Sequence, residues 1–592
     1  MNPERYGRWQ NLATMFFEVA AERGDRPFLW AKRDGEWEAM SWPDAAQAVS
    51  RLSRALRGLG VEAGDRVALV SENRPEWLIC DVAIMAARGI AVPAYTTNTV
   101  GDHHHILTNS GAKGVIVSDA RLAEPLMQAV AKAPAVRFVI AMAPIEGAAP
   151  NDVRVLGWGE AMDLGASLPD DTTSVAAAAA RSDTCCLIYT SGTGGLPKGV
   201  MLSHGAILCN CKGAYIVLES LGIGDEVFLS FLPLSHSYEH SAGQFFPISI
   251  GAEIYYAERA DRLVGYLPEV RPTIMTAVPR LYETMHRRIV AALERQGGLK
   301  AKLFWKAHAL GCRRYQAPGS LSLGERLMDA VLERLVRDKM RQRFGGRLKA
   351  MVSGGAPLNY EIGLFFTALG LRILQGYGLT ESAPVVSCNP PHKPKLHTVG
   401  PALADVEARI ADDGEILVRG ELVMQGYWGM PEATAEAVVD GWLLTGDIGR
   451  IDEDGYLQIT ERKKDIIVSS GGDNISPQRV EGFLTLQPEI DQAMVYGDRR
   501  PYLVGLLVPD ADFLAQWAEA NGRPQAIADP AADEALHQAL TQVVERVNRE
   551  LALTERVRHF LVAAEPFTVD NEMMTPTLKI RRHKIEERYG EA

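Results

Sequence analysis

The feature that most constrains this chain is the alternation, through its first third, of short β-branched runs with segments of helical spacing. Arg66-Val-Ala-Leu-Val70, Gly114-Val-Ile-Val117 and Arg137-Phe-Val-Ile140 read as buried strands. Between them, Arg74 to Ala87 and Arg121 to Ala131 place apolar residues at helix-like intervals. Strands that alternate with helices predict βαβ units and a mostly parallel sheet. The pattern resumes at Glu226-Val-Phe-Leu-Ser-Phe231, Thr273-Ile-Met-Thr-Ala277 and Lys349-Ala-Met-Val-Ser353. A chain of 592 residues is too long for one compact core, so at least two domains are expected.

Near Ile410 the texture changes. Glu415-Ile-Leu-Val-Arg419 and Gly455-Tyr-Leu-Gln-Ile459 read as shorter strands, separated by the turns Asp413-Gly414, Asp440-Gly441 and Asp454-Gly455. From about Asp465 the chain reads as a small α+β unit, with strands Gln492 to Tyr496 and Leu503 to Pro509 and a helix from Asp533 to Leu551.

A net charge of −12 argues against a nucleic-acid binder. Seven cysteines without a CxxC pair supply neither a disulfide framework nor a zinc site, and Cys185-Cys186 and Cys209-x-Cys211 are expected to be small buried residues of a reducing compartment. Three consecutive histidines, His103 to His105, cannot all face one ion. Met1 to Gln10 carries Glu4, Arg5 and Arg8 and has no secretory apolar core; Trp77 to Tyr95, the most apolar stretch, is broken by Asp81, Arg88 and Pro93. The expected location is the cytoplasm or the surface of a membrane. One stretch stands apart: Arg280 to Lys349 holds 17 Lys/Arg against 6 Asp/Glu, +11 on an otherwise acidic chain, and it is the most helical-looking part of the sequence.

Chemistry concentrates in five motifs. Tyr189-Thr-Ser-Gly-Thr-Gly-Gly-Leu-Pro-Lys198-Gly199 follows the strand Cys185 to Ile188. Its glycines let backbone N–H groups close on phosphate oxygens, while hydroxyls and a lysine add donors and charge. It is neither a Walker A loop nor GxGxxG, because Pro197 precedes Lys198 and Gly199 follows it. After it come Gln375-Gly-Tyr-Gly-Leu-Thr-Glu-Ser382, Leu444-Thr-Gly-Asp-Ile448, Glu461-Arg-Lys-Lys-Asp-Ile466 with Gly471-Gly472, and Thr575-Pro-Thr-Leu-Lys579-Ile-Arg581.

This ordered set resembles the core motifs of the acyl-adenylate-forming superfamily, the AMP-binding enzymes, which include acyl-CoA synthetases, peptide-synthetase adenylation domains and luciferases. The match runs from about residue 40 to residue 585. The resemblance implies an α/β fold: a large N-terminal adenylate-forming domain over 1–463, with parallel sheets and a β-rich part near 400 to 460, and a small mobile C-terminal α+β domain over 464–592 turning about a hinge at Lys464. It implies ATP and Mg2+ as reactants and, after activation, transfer to coenzyme A. Thr190, Ser191, Gly192, Thr193 and Lys198 would hold the β- and γ-phosphates. Thr380 would donate to the α-phosphate, and Glu381, with Thr193, would bind Mg2+. Tyr377 would stack on adenine, with Gly354, Gly376 and Gly378 beside the nucleotide, and Asp447 and Arg462 would fix the ribose. Lys579 would bridge carboxylate and phosphate oxygens, making it, Lys198 and Thr380 the catalytic set. Gly471 and Gly472 would line a thiol tunnel.

Further resemblance, to the bacterial long-chain fatty acyl-CoA synthetases, lies in Thr-Leu-Lys579 and in Leu232-Pro-Leu-Ser-His236-Ser-Tyr-Glu239. His236 would wall the acyl pocket, with Gly355 and Ala356 leaving room for the chain. The phosphate loop departs from the family pattern, with Thr193-Gly194-Gly195 where relatives have Thr-Thr-Gly. The expected function is therefore ATP-dependent activation of a fatty acid and its ligation to coenzyme A. An acyl-AMP ligase loading a carrier protein, a luciferase-like oxygenase and a non-catalytic acyl-nucleotide sensor are the alternatives. The 280–349 stretch is a candidate for peripheral contact with an anionic membrane. Chain length and oligomeric state are not legible.

Overall fold

The structure is a computed structural model that describes residues 2–145, 152–190, 196–258, 262–470, 474–523, 530–569, 571–575 and 580–590. The chain divides into two compact units, one of Met1–Arg409, Leu417–Thr445 and Ile451–Gln458, the other of Ile410–Ile416, Gly446–Arg450 and Ile459–Ala592.

The large unit holds two eight-stranded sheets. In the first, Arg66–Val70 lies between Ile90–Ala94 and Gly114–Val117, and the sheet continues in parallel through Phe138–Ala141 to Arg154–Gly157. Arg66–Val70, Gly114–Val117 and Phe138–Ala141 are the runs read as strands from the sequence, whereas Ile90–Ala94 and Arg154–Gly157 are not. Arg66–Val70, Gly114–Val117 and Phe138–Ala141 are buried on both faces, which is why their residues do not alternate with polar ones. Helices Val100–Ser110 and Ala120–Val130 cover one face, with Ile106, Leu107, Leu122 and Leu126 in a common core with Val115 and Val117. On the other side of Ile90–Ala94, Thr184–Thr190 pairs in parallel with it. Lys198–Ser203 and Gly426–Tyr427 then close the edge antiparallel.

The second sheet runs Val385–Cys388, Ile373–Gly378, Ala350–Ser353, Ile274–Ala277, Val227–Ser230, Glu253–Tyr256, Pro27–Arg33 and Glu36–Ser41. Its middle strands are parallel, as their apolar runs predict. The short strands expected near 400 to 460 are present as Glu407–Ile410, Glu415–Arg419, Val438–Val439, Trp442–Ile451 and Leu457–Arg462. No helix among the described residues is long and apolar enough to cross a membrane: Trp77 to Tyr95 divides into the helix Pro75–Ala86 and the strand Ile90–Ala94.

In the small unit a three-stranded sheet, Ile490–Tyr496, Leu503–Pro509 and Val557–Val562, packs against helices Pro477–Thr485 and Glu534–Asn548. Leu536, Leu540, Val543 and Val547 recur at helical spacing and all point into that core.

Candidate active site

In the large unit the site begins at a hairpin. Thr184–Thr190 and Lys198–Ser203 pair antiparallel so that Thr190 stands opposite Lys198 and Tyr189 opposite Gly199. The register puts the Thr190 hydroxyl and Lys198 side by side where the two strands part. Ser191, Gly192, Thr193 and Gly194 lie outside the described residues. Gly199 packs closely under Tyr189: a Cβ there would come 3.1 Å from its ring. His105 reaches the loop's far end, its Nε2 2.8 Å from the Pro197 carbonyl. Of the other two histidines, His103 turns into the core, where burial lowers its pKa to about 4, and His104 stays half-buried.

The Lys198 ammonium lies 4.7 Å from the centre of the Tyr427 ring, and the Tyr427 hydroxyl donates to Glu381 Oε1 at 2.8 Å. Burial, and then the Glu381 charge, push the Tyr427 pKa up, so the phenol keeps its proton and remains a donor. The neighbouring backbone reinforces the link. Met424 N–H donates to the Glu381 carbonyl and Trp428 N–H to the Gly199 carbonyl. One segment, 424–428, therefore ties the lysine strand to the glutamate turn. Tyr427 was not singled out from the sequence. Its only signal there is the run Gly426-Tyr-Trp-Gly429, which reads as an ordinary aromatic turn.

Thr380 and Glu381 open a short 3-10 turn, Thr380–Ser382, just after the strand Ile373–Gly378 that carries Gly376, Tyr377 and Gly378. The Tyr377 side chain is buried. Gly378 permits the turn: a Cβ would lie 1.7 Å from the Pro384 carbonyl oxygen, a clash with backbone that nothing can relieve. Thr380 Oγ1 is 3.0 Å from Ser237 Oγ, and the Ser241 hydroxyl donates to the Ala383 carbonyl. Asn210 adds two more bonds, to the Ser382 carbonyl and from the Val385 N–H. These contacts join the nucleotide motif to the His236 segment.

That segment enters a π-helical turn, Glu239–Phe245. His236 is half-buried and its Nδ1 accepts from the Tyr238 N–H. Tyr238 donates to the Val352 carbonyl and lies against Gly354, where a Cβ would meet its ring at 3.0 Å. Gly355, at φ +81°, and Ala356 follow as exposed residues of the loop after Ala350–Ser353. Glu239 takes a different path from His236. It is fully buried and accepts from Ser230 at 2.7 Å and Thr276 at 2.6 Å. Burial raises its pKa to about 7 against the pull of those two hydroxyls. Behind it His240 Nε2 lies 3.0 Å from Asp81 Oδ2, which also accepts from Gln244. Burial opposes charge on His240, but the Asp81 carboxylate outweighs it and raises the pKa.

In the small unit Arg462 Nε lies 3.3 Å from Asp447 Oδ1, with Asp447 largely buried. Lys463 is held by Asp413 at 2.7 Å and Glu415 at 2.9 Å, and Lys464 follows in a turn. Lys579, Gly471 and Gly472 lie outside the described residues, but the flanks of residues 576–579 are fixed. Met574 and Ile580 form an antiparallel bridge, and Arg582 makes a two-pronged pair with Glu481 at 2.6 and 2.7 Å while donating to the Val495 carbonyl.

The resemblance gives Glu381, with Thr193, the role of binding Mg2+. Among the described residues no group of three or more His, Cys, Asp or Glu side chains is placed to hold an ion. A single carboxylate suits Mg2+ where phosphate oxygens and water supply the remaining ligands.

Comparison with known proteins supplies the context. A family model described as AMP-binding enzyme matches residues 16–428, and one described as AMP-binding enzyme C-terminal domain matches 464–592. The chain is 35% identical to the long-chain-fatty-acid–CoA ligase FadD15 of Mycobacterium bovis, over 99% of this chain and 97% of that protein. It is 30% identical to the peroxisomal long chain acyl-CoA synthetase 6 of Arabidopsis thaliana, over 94% and 81%. Among solved structures, the A domain of a carboxylic acid reductase from Segniliparus rugosus, in complex with AMP and a co-purified carboxylic acid, aligns over 100% of this chain and 94% of its own with a TM-score of 0.78 at 22% identity.

Proposed function

The chain belongs to the AMP-binding enzyme family, and from that premise we propose that it activates a long-chain fatty acid with ATP and passes the acyl group to coenzyme A. The observation that carries the reading is the unbroken run of contacts Lys198–Tyr427–Glu381, continued through Thr380 to Ser237 and the His236 segment. It joins Lys198, Glu381 and the His236 segment in one framework, which supports assigning them to phosphate, metal and acyl chain.

A carboxylate oxygen is a poor leaving group, so the acid must first become a mixed anhydride. Its oxygen attacks the α-phosphorus of ATP and pyrophosphate leaves. Both partners are anions, so cations and donors fixed in advance around the phosphates lower the barrier most. Lys198 and the 190–193 hydroxyls take the β- and γ-phosphates, and Thr380 donates at the α-phosphate. Mg2+, when held by Glu381, neutralises phosphate charge. Tyr377 stacks on adenine, Asp447 and Arg462 hold the ribose, and Lys579 bridges the reacting oxygens. In the second step the coenzyme A thiolate attacks the acyl carbonyl and AMP leaves, with Gly471 and Gly472 beside the thiol path and Lys464 as the pivot between steps. The basic stretch 280–349 meets an anionic membrane on the cytoplasmic face, where fatty acids partition.

The test is AMP release measured on acids from acetate to a twenty-carbon chain, with and without free coenzyme A. Turnover that requires coenzyme A and rises with chain length supports the reading. Turnover that needs a carrier protein instead, or no release with any acid, would overturn it.

A further inference from the structure

The helix Leu323–Leu332 and the π-helical turn Glu333–Arg337 that continues it are built inside out. Asp329, Glu333 and Arg337 face the protein. Arg337 is 0% exposed; it pairs with Asp329 at 2.7 Å and Glu333 at 3.1 Å and donates to the carbonyls of Ala307 and Ala368. Asp329 also takes Arg314, and Glu333 takes Arg341. Leu332 and Val336 pack inward, but a second set of apolar side chains faces out. Leu323 is 84% exposed, Leu327 71%, Val331 46% and Leu335 47%, one ridge at intervals of four, with Met328 beside it at 44%. A helix facing water shows the reverse arrangement. An outward apolar ridge of this length on a folded chain marks a surface that meets an apolar phase.

The charge on the same face says which phase. The acidic residues Glu325, Asp329, Glu333 and Asp338 are all engaged by arginines, whereas Arg326, Arg334 and Lys339 are exposed. The preceding helix, Gly298–Gln316, adds exposed Lys300, Lys302 and Lys306 together with exposed Leu299 and Trp305. A second copy of the chain docked on this face through a twofold axis would set those cations against themselves. We propose that this face enters the interface of an anionic lipid bilayer, with the Leu323–Leu335 ridge in the acyl boundary and Arg326, Arg334 and Lys339 among the headgroup phosphates. Both halves of the surface then find their complement. This rests on the reading of 280–349 as the membrane-facing stretch and is independent of which acid is activated.

Two variants separate the contributions. In Leu327→Ser/Val331→Ser/Leu335→Ser the ridge is removed; in Arg334→Glu/Lys339→Glu the charge is reversed. All five side chains are at least partly exposed, so neither variant cuts into the buried Arg337 network. In co-sedimentation with mixed phosphatidylcholine/phosphatidylglycerol vesicles the wild-type chain should bind, and added salt should weaken the binding without abolishing it. The serine variant should partition at least about tenfold more weakly. The glutamate variant should bind the mixed vesicles no better than the wild type binds phosphatidylcholine alone. AMP release from a short, water-soluble acid should be the same in all three proteins. A serine variant that sediments like the wild type would overturn the proposal. So would a wild type that binds no vesicle, including one that is instead a dimer in solution dissociated by the serine changes. A chain that binds vesicles as expected but releases AMP with no acid would sink the ligase assignment and leave this one standing.

Discussion

Tyr427 matters more than its place in a plain aromatic turn suggests, because it touches both Lys198 and Glu381, proposed to serve the phosphates and Mg2+. Removing only its hydroxyl should release Glu381 while leaving the ring beneath Lys198. A hydrogen bond to a charged group contributes about 1.5–3 kcal/mol, so Tyr427→Phe should raise KM for MgATP by about tenfold or more and shift the Mg2+ dependence, with KM for the fatty acid unchanged. Equal increases in both constants would show that the residue only supports the fold. Glu239 makes a second prediction at this scale. Its pKa rises from 4.5 to about 7 on burial, so between those values the folded chain keeps a proton that the unfolded chain has lost. The stability it contributes is complete below about pH 4.5 and is lost as pH rises through about 7, at up to about 1.4 kcal/mol per pH unit. In urea unfolding at pH 5 and pH 8, Glu239→Gln should lose about 2–3 kcal/mol less than the wild type across that interval. A parallel pH dependence in the two proteins would place the titration elsewhere.

At the scale of elements, the site depends on how short segments are clamped at their ends. The described residues on either side of 576–579 meet in the Met574–Ile580 bridge, which is followed at once by the Arg582–Glu481 pair. Glu481 is buried; desolvation raises its pKa although Arg582 pulls the other way, so its charge depends on that partner. Lys579→Ala should slow acyl-adenylate formation by at least about a hundredfold, the scale for losing a preorganised charge, while thioester formation from supplied acyl-AMP survives. Glu481→Ala should give a weaker version of the same split, because it loosens the anchor of the lysine segment and removes no reacting group. Equal loss of both half-reactions in Lys579→Ala would refute its role. The hairpin Thr184–Thr190/Lys198–Ser203 shows how much of such an element is legible. The glycine-rich motif and its preceding strand could be read from Thr190 to Lys198. The antiparallel return at Lys198 and the added strand Gly426–Tyr427 could not, since strand partners far apart in sequence leave no local pattern.

For the whole molecule, the question is how two units serve two half-reactions. Lys463 is pinned by Asp413 and Glu415, and Lys464 follows it in a turn that precedes the small core. A proline at 464 would fix its φ and restrict residue 463 as well. Lys464→Pro should therefore leave adenylation intact and depress thioester formation, measured as acyl-AMP that accumulates without acyl-CoA; normal turnover would move the pivot elsewhere. The parallel sheets, the order of the motifs and the family followed from the sequence alone, because apolar periodicity and glycine-rich turns are local properties that each residue writes into its own neighbourhood. The tertiary structure decided what depends on contact between distant residues. Tyr427 reaches Glu381 across 46 positions, and Ser237 reaches Thr380 across 143. The 280–349 stretch makes the same point. Its net charge of +11 could be counted from the sequence, but which side chains face outward could not, because Arg337 is drawn inward only by carbonyls and carboxylates that the fold gathers around it, turning Leu327 and Val331 out.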